Sequence, residues 1–260
     1  MERKHGFFEC PPDASGTADL EEMLGSVRWD GDEYDVSSLF DKERVMDQGA
    51  TGSCVRHALA RAIQCCARAR FARNYELPSA RHMTHLVKTL LGSAWNWDGT
   101  TLAAAVEAVQ DAGIIKESEC PWSPEQDGMV DYDDLQKGLE CAIAGRQVRS
   151  HRCIETGQAR KLAFLNSLRS GCGIAVGISV DKSFSWVRDD SIWQMTGPRE
   201  GGHAMALVGV YGDRGVCLNS YGEGHGQEGF VSIAIDHLLD PQTCPSAWIV
   251  DIAPEWAANW

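Results

Sequence analysis

The sequence has no C-x-x-C pair, no N-x-S/T sequon and no long apolar run. Its ten cysteines are scattered at positions 10, 54, 65, 66, 120, 141, 153, 172, 217 and 244. Neither a zinc ribbon nor a dense disulfide scaffold fits that spacing. Most are expected as reduced thiols packed as small apolar groups. The missing sequon argues weakly against secretion. The N-terminus reads Met-Glu-Arg-Lys-His-Gly-Phe-Phe-Glu-Cys-Pro-Pro. It is charged but lacks an apolar core of about 7–15 residues, so it does not read as a secretory signal. The apolar stretches Ile174–Val180 and Ala204–Tyr211 contain glycine and fall far short of a membrane span. Positive charge is also scarce. Lys and Arg number 24 against 37 Asp and Glu, a net charge of −13. Nucleic acid and anionic membrane both need a cationic face, so neither is expected as a partner.

What is present suits a globular protein. The chain has 260 residues, 43% of them hydrophobic and 23% charged. At roughly 150 residues per domain this is one large domain or two intimate halves. Helical spacing dominates early. Val55, Leu59, Ala62, Ile63 and Cys66 recur on one face within 50–73, behind the N-cap types Thr51 and Ser53. A second helix is expected over 79–91 after Pro78. A third opens at Thr100 or Thr101 and closes at Gly113. Short helices are expected over 132–144 and 159–170. Strand-like segments follow at 174–180, 204–210, 215–218 and 230–235, each apolar and bounded by Gly or Asp. Helices first and strands later imply an α+β fold with segregated halves.

Three segments carry residue types suited to chemistry. In Asp47-Gln-Gly-Ala-Thr-Gly-Ser-Cys54 a cysteine stands where a helix should begin. The partial positive charge and unpaired N–H groups there favour a thiolate, the reactive form. Gln48 offers an amide donor to a developing oxyanion beside the Cys54 N–H. His203 heads an apolar strand after Gly201 and Gly202, and Asn219 ends the next strand. Paired as a hairpin, those strands would bring Asn219 beside His203. A Cys–His–Asn set supplies nucleophile, base and a neutral group that fixes the imidazole tautomer.

Together the segments resemble the papain-like cysteine protease family. Its nucleophile block, D-Q-G-x-x-G-S-C, is matched letter for letter by Asp47 to Cys54. Its block N-S-W-G-x-x-W-G-x-x-G-Y is similar to Asn219-Ser-Tyr-Gly-Glu-Gly-His-Gly-Gln-Glu-Gly-Phe230. The interval from His203 to Asn219 also looks like the family's. So do Asp98 to Trp122 and Ile174 to Gly202, the latter including Ser183-Phe184 and Ser191-Ile-Trp193. The likeness covers about 35–122 and 160–250. It implies a papain-like fold whose active-site cleft lies between a helical half, about 54–145, and a β-rich half, about 29–53 and 147–250. Residues 1–28 would form a loosely ordered arm that covers the cleft or lies free of it, and 251–260 a tail. That arm is too short for the family's large helical pro-domain, a layout resembling bacterial, archaeal or large-virus members.

By the same resemblance Cys54 is the nucleophile and His203 the base, with Asn219 orienting His203 and Gln48 serving the oxyanion. Gly52 and Gly99 would line the walls where substrate pairs as an extended strand. Ala204 would border the pocket for the second residue before the cut. Ser53, Gly202 and Tyr221 join the substrate-binding set. The implied activity is peptide-bond hydrolysis through a thioester acyl-enzyme, acting on peptide or protein without metal or organic cofactor. An acyltransferase or peptide ligase on the same triad, and a non-catalytic binding protein of the same fold, stand as alternatives.

The departures are specific. Val55 follows the nucleophile where the family has an aromatic residue. The two tryptophans that shield the His–Asn pair from water are here Tyr221 and His225, so weaker shielding is expected. Thr51 replaces the early disulfide cysteine and no cysteine stands near Gly99, which fits a cytoplasmic or otherwise reducing compartment. Gly224-His-Gly-Gln-Glu-Gly229 spells a dinucleotide fingerprint but precedes a strand, not a helix. His82 and His85 read as surface groups, Arg68, Arg70 and Arg73 as a solvated helix end. Trp95, Trp97, Trp186 and Trp193 read mainly as core, or as a groove lining.

Overall fold

The computed structural model describes residues 7–9, 16, 18–25, 31–40, 45–71, 75–90, 99–126, 133, 136 and 148–253. The arm read as loosely ordered carries two elements, strand β1 (Phe7–Phe8) and helix α1 (Leu20–Leu24). Asp19 caps α1 by accepting from the Glu21 N–H at 2.8 Å, and Met23 and Leu24 are buried. Strand β2 (Tyr34–Asp35) follows.

The expected helices form with tighter ends. Helix α2 is Cys54–Arg70 and α3 is Ala80–Leu90. The short strand β3 (Thr100–Thr101) runs into α4 (Leu102–Ala112). The Thr101 hydroxyl accepts from the Ala104 N–H at 3.0 Å, and Gly113 ends the helix at φ 71° with its N–H on the Val109 carbonyl. Of the helix expected over 132–144, Asp133 and Gln136 are helical and the rest lies outside the described residues. Helix α5 is Gly157–Arg169.

Among the described residues, six strands make the main sheet with β2: β4 (Val148–Arg152), β5 (Gly173–Val180), β6 (Gly201–Val210), β7 (Arg214–Leu218), β8 (Phe230–Ala234) and β9 (Ser246–Ile252). Helix α6 (Ile235–Leu239) separates β8 from β9. All pairings in this sheet are antiparallel, in the order β4-β9-β5-β6-β7-β8, with β2 also on β6. Strands β4 and β9 went unread in the sequence. The first two tail residues, Asp251 and Ile252, belong to β9 rather than to a tail.

Side-chain alternation on β5 sets the core. Ile174, Val176, Ile178 and Val180 enter one apolar cluster with Phe164, Leu165 and Leu168 of α5. Ala175 points into the other, among Leu59, Ile63 and Cys66 of α2. Small residues on that face let α2 lie against the sheet, and α2 is buried from Cys54 to Arg68. Its C-terminal end is pinned rather than solvated. Arg68 donates to the Tyr75 and Leu39 carbonyls at 2.9 and 2.8 Å. Arg70 and Arg149 both pair with the fully buried Asp251 carboxylate, tying α2 to the β4–β9 edge. Arg73 lies outside the described residues. His82 and His85 are also fully buried on α3, not on the surface as expected, with ring centroids 6.4 Å apart. No described helix is long and apolar enough to cross a membrane.

Candidate active site

Cys54 is the first residue of α2 and is fully buried. The loop before it is drawn tight by its own polar groups. Gln48 Nε2 donates to the Thr51 carbonyl at 2.7 Å, and the Thr51 hydroxyl returns to the Gln48 carbonyl at 2.8 Å. The Ser53 and Thr51 hydroxyls share a hydrogen bond of 2.7 Å, and Gly52 is buried beside them. Trp122 Nε1 donates to the Asp47 carbonyl at 3.2 Å and closes the loop from outside.

His203 lies on β6 and Asn219 just past β7, as the hairpin reading required. Asn219 Oδ1 is 2.7 Å from His203 Nε2. The same oxygen accepts from the Ser220 backbone N–H at 2.8 Å. A backbone N–H can only donate, so that atom of the amide is the oxygen. His203 Nε2 therefore carries the proton and Nδ1 is left for base chemistry. The Tyr221 hydroxyl is 3.3 Å from His203 Nδ1, and the two rings tilt together at 4.5 Å.

The cysteine loop and the asparagine loop are tied to each other. Ser220 Oγ donates to Gln48 Oε1 at 2.6 Å, and the Gln48 N–H donates to the Ser220 carbonyl at 2.8 Å. Asp47 and Tyr221 form a β-bridge, and the Gly222 N–H reaches the Met46 carbonyl at 3.0 Å. One amide N–H of Gln48 is thus held by Thr51, leaving the second for another acceptor. Helix α2 itself packs on β6, the strand that carries His203.

No protein-family model matches the sequence, and no curated protein matches it either. Solved structures do. Procathepsin L2 proteinase from the larval midgut of Tenebrio molitor is 21% identical, with 96% of this chain and 78% of that chain covered at a TM-score of 0.74. Xylellain, a cysteine protease from Xylella fastidiosa, is 19% identical, with 97% and 98% covered at 0.72. Procathepsin B from Trypanosoma congolense is 13% identical, with 95% and 85% covered at 0.71. The chain has a papain-like cysteine protease fold.

Within this papain-like fold the two replaced tryptophans behave differently from expectation. Weaker shielding was expected, yet His203, Asn219, Tyr221 and His225 are all at most 3% exposed. Phe184 completes the enclosure, its ring centroid 5.3 Å from His203 and 5.1 Å from His225. Trp193 packs edge-on against Phe184 at 4.9 Å and is buried, while Trp186 is 70% exposed; Trp95 and Trp97 lie outside the described residues. The glycine block leads into β8, so the dinucleotide reading stays rejected.

Gly202 and Ala204 flank His203 on β6, and Gly99 immediately precedes β3. The arm contributes a residue here that the sequence did not single out. Phe7–Phe8 pairs in parallel with Thr100–Thr101. The Phe7 ring covers both Gly177 and Gly202, where a Cβ would come within 2.3 and 2.5 Å of its carbons. The Phe-Phe pair amid polar residues was the available signal. Ser220 and Phe184 were missed as partners of the site, and His225 was read only as the replacement for a shielding tryptophan. Eight of the ten cysteines lie among the described residues, all buried and none in a disulfide. Burial pushes the thiols of Cys65 and Cys172 up to about 12, which leaves them unreactive.

Proposed function

We propose that the protein is a cysteine endopeptidase using Cys54, His203, Asn219 and Gln48. The observation that carries this reading is the 2.7 Å contact between Asn219 Oδ1 and His203 Nε2, in a papain-like fold with Cys54 opening α2. The resting pair is a Cys54 thiolate and a His203 imidazolium. Cys54 Sγ attacks the scissile carbonyl carbon, and the oxygen takes the negative charge. The Cys54 N–H and the second Gln48 amide N–H stabilise it. The C–N bond breaks as His203 Nδ1 gives its proton to the leaving amine, and a thioester remains. Water then attacks the thioester, losing a proton to His203 Nδ1. The acid departs and the thiolate–imidazolium pair is restored.

Gly52, Ser53, Gly99, Gly202, Ala204 and Tyr221 border the substrate in this reading. The arm, residues 1–28, covers the groove, with Phe7 in the seat over Gly177 and Gly202 and Phe8 along the wall after Gly99. The buried thiols, none in a disulfide among the described residues, support a reducing compartment.

An epoxide-type thiol inhibitor read out by mass spectrometry tests both parts. One adduct on Cys54, absent in Cys54→Ala and formed faster once residues 1–28 are removed, is expected. No adduct, or slow adducts spread over the cysteines, overturns the peptidase reading. Equal rates with and without the arm overturn its covering role alone.

A further inference from the structure

We propose that His225 is a positioning residue that sets the acid limit of the site by holding Asn219 in register only while its own ring is neutral. This rests on the reading of Cys54, His203 and Asn219 given above. Donors and acceptors fix both side chains. Asn219 Oδ1 is fixed by the Ser220 N–H, so the other end of the amide is the NH2 group. That nitrogen lies 2.9 Å from His225 Nδ1, which must therefore present a lone pair. His225 Nε2 lies 2.7 Å from the Phe184 carbonyl oxygen, which cannot donate, so Nε2 must carry the proton. Both ring nitrogens are thus assigned, and His225 is a neutral Nε2–H imidazole.

A second proton on His225 has nowhere to go without loss. At Nδ1 it would face the Asn219 NH2, donor against donor. Turning the Asn219 amide over relieves that clash but creates two more. The NH2 would then face the Ser220 N–H and the His203 Nε2–H. Either response releases His203 from its orienting contact. These groups are buried, so water does not replace the lost bonds. An indole in place of His225 has no basic nitrogen to take up a proton.

The surroundings allow proton exchange. His225 borders a cavity of about 320 Å³ whose rim includes Asp47, Arg188, Glu223 and Tyr221. Arg188 opposes a positive ring, Asp47 and Glu223 favour it, and His203 beyond Asn219 opposes it when charged. Beyond the Phe184 carbonyl, Phe184 and Tyr221 turn ring faces and edges to it, at 5.1 and 5.0 Å.

The test is the rate of Cys54 alkylation by iodoacetamide against pH, in the full chain, for wild type, His225→Gln and His225→Trp. Gln can accept from Asn219 and donate to Phe184 but does not titrate. On the acid side the wild-type rate should fall with a slope approaching two protons. Both variants should fall with a slope of one, so each further pH unit separates them from wild type by about tenfold. Identical acid slopes in wild type and His225→Gln, with rates shifted equally at every pH, would mean a purely structural role and overturn the proposal. Nitrogen-15 NMR of histidine-labelled Cys54→Ala reads the tautomer without activity. A His225 Nε2–H ring at neutral pH is expected, and a Nδ1–H ring or an imidazolium there overturns the proposal. Absence of selective Cys54 alkylation at any pH would instead sink the peptidase reading, leaving the NMR result to decide for or against His225.

Discussion

In the helical half, His57 sits one turn into α2 with its ring edge-on to Trp122 at 4.6 Å and fully desolvated. In the sheet half, His225 is buried to the same degree but is hydrogen-bonded through both nitrogens. Burial, with Arg56 and Arg61 nearby, pushes His57 down to about 3, so it stays neutral through the physiological range. Its Nε2 has no hydrogen-bond partner among the described residues. Packing alone makes His57 a large aromatic group. Directional partners make His225 a group whose proton position is defined. The same residue type therefore serves as filler in one half and as a fixed polar strut in the other.

The comparison breaks most severely at Asn219, the strut between His225 and His203. Asn219→Ala removes the orienting oxygen and leaves His225 Nδ1 without its donor. A loss of about 10²-fold in kcat/KM is expected, the scale of a misoriented catalytic group. Retained kcat/KM in a steady-state peptidase assay would mean that packing alone orients His203.

On the helical side the readout is stability. The unfolded chain takes up a proton at His57 near 6.5, while the folded chain refuses it until about 3. The folded state therefore loses stability as pH falls through that window, and none of this loss occurs above 6.5. His57→Phe should gain on wild type by about 1.4 kcal/mol per pH unit across it, on the order of 2 kcal/mol at pH 5. Urea unfolding at several pH values measures this. Glu117, pushed up to about 7 by burial, acts in the opposite sense between about 7 and 4.5. The difference between variants, not the raw curve, isolates His57. A pH-independent difference would show that His57 titrates normally.

The smallest effect is expected at Tyr221. Tyr221→Phe keeps the ring against His203 and deletes the hydroxyl 3.3 Å from Nδ1. One modest hydrogen bond corresponds to about 3- to 10-fold in kcat/KM. No change would assign Tyr221 to packing, in the manner of His57.

The site was more legible than the shell around it. Cysteine at a helix start and the His203–Asn219 hairpin follow from local spacing, and both appear in the structure. The helices over α2, α3 and α4 were readable because caps and apolar period agree, as at Thr101 and Gly113. Strand β4, Val-Arg-Ser-His-Arg, was not, because the partners of its polar residues, Asp251 for Arg149, Gln110 for Ser150 and Ala18 for His151, meet it only in the folded chain. His82, His85 and Arg68 were assigned to solvent since sequence carries no information on which helix faces are covered twice. His225 looked like a lost tryptophan because its partners, the Asn219 amide and the Phe184 carbonyl, converge only in the folded chain.

Phe7 is part of the chain it sits on, and that fixes how its seat over Gly177 and Gly202 responds to concentration. A tethered segment meets its seat at an effective concentration of roughly the millimolar order, whatever the protein concentration. Diluting the protein does not empty it. A free peptide aimed at the same seat binds with an affinity scaled down by the fraction of molecules in which β1 has left β3.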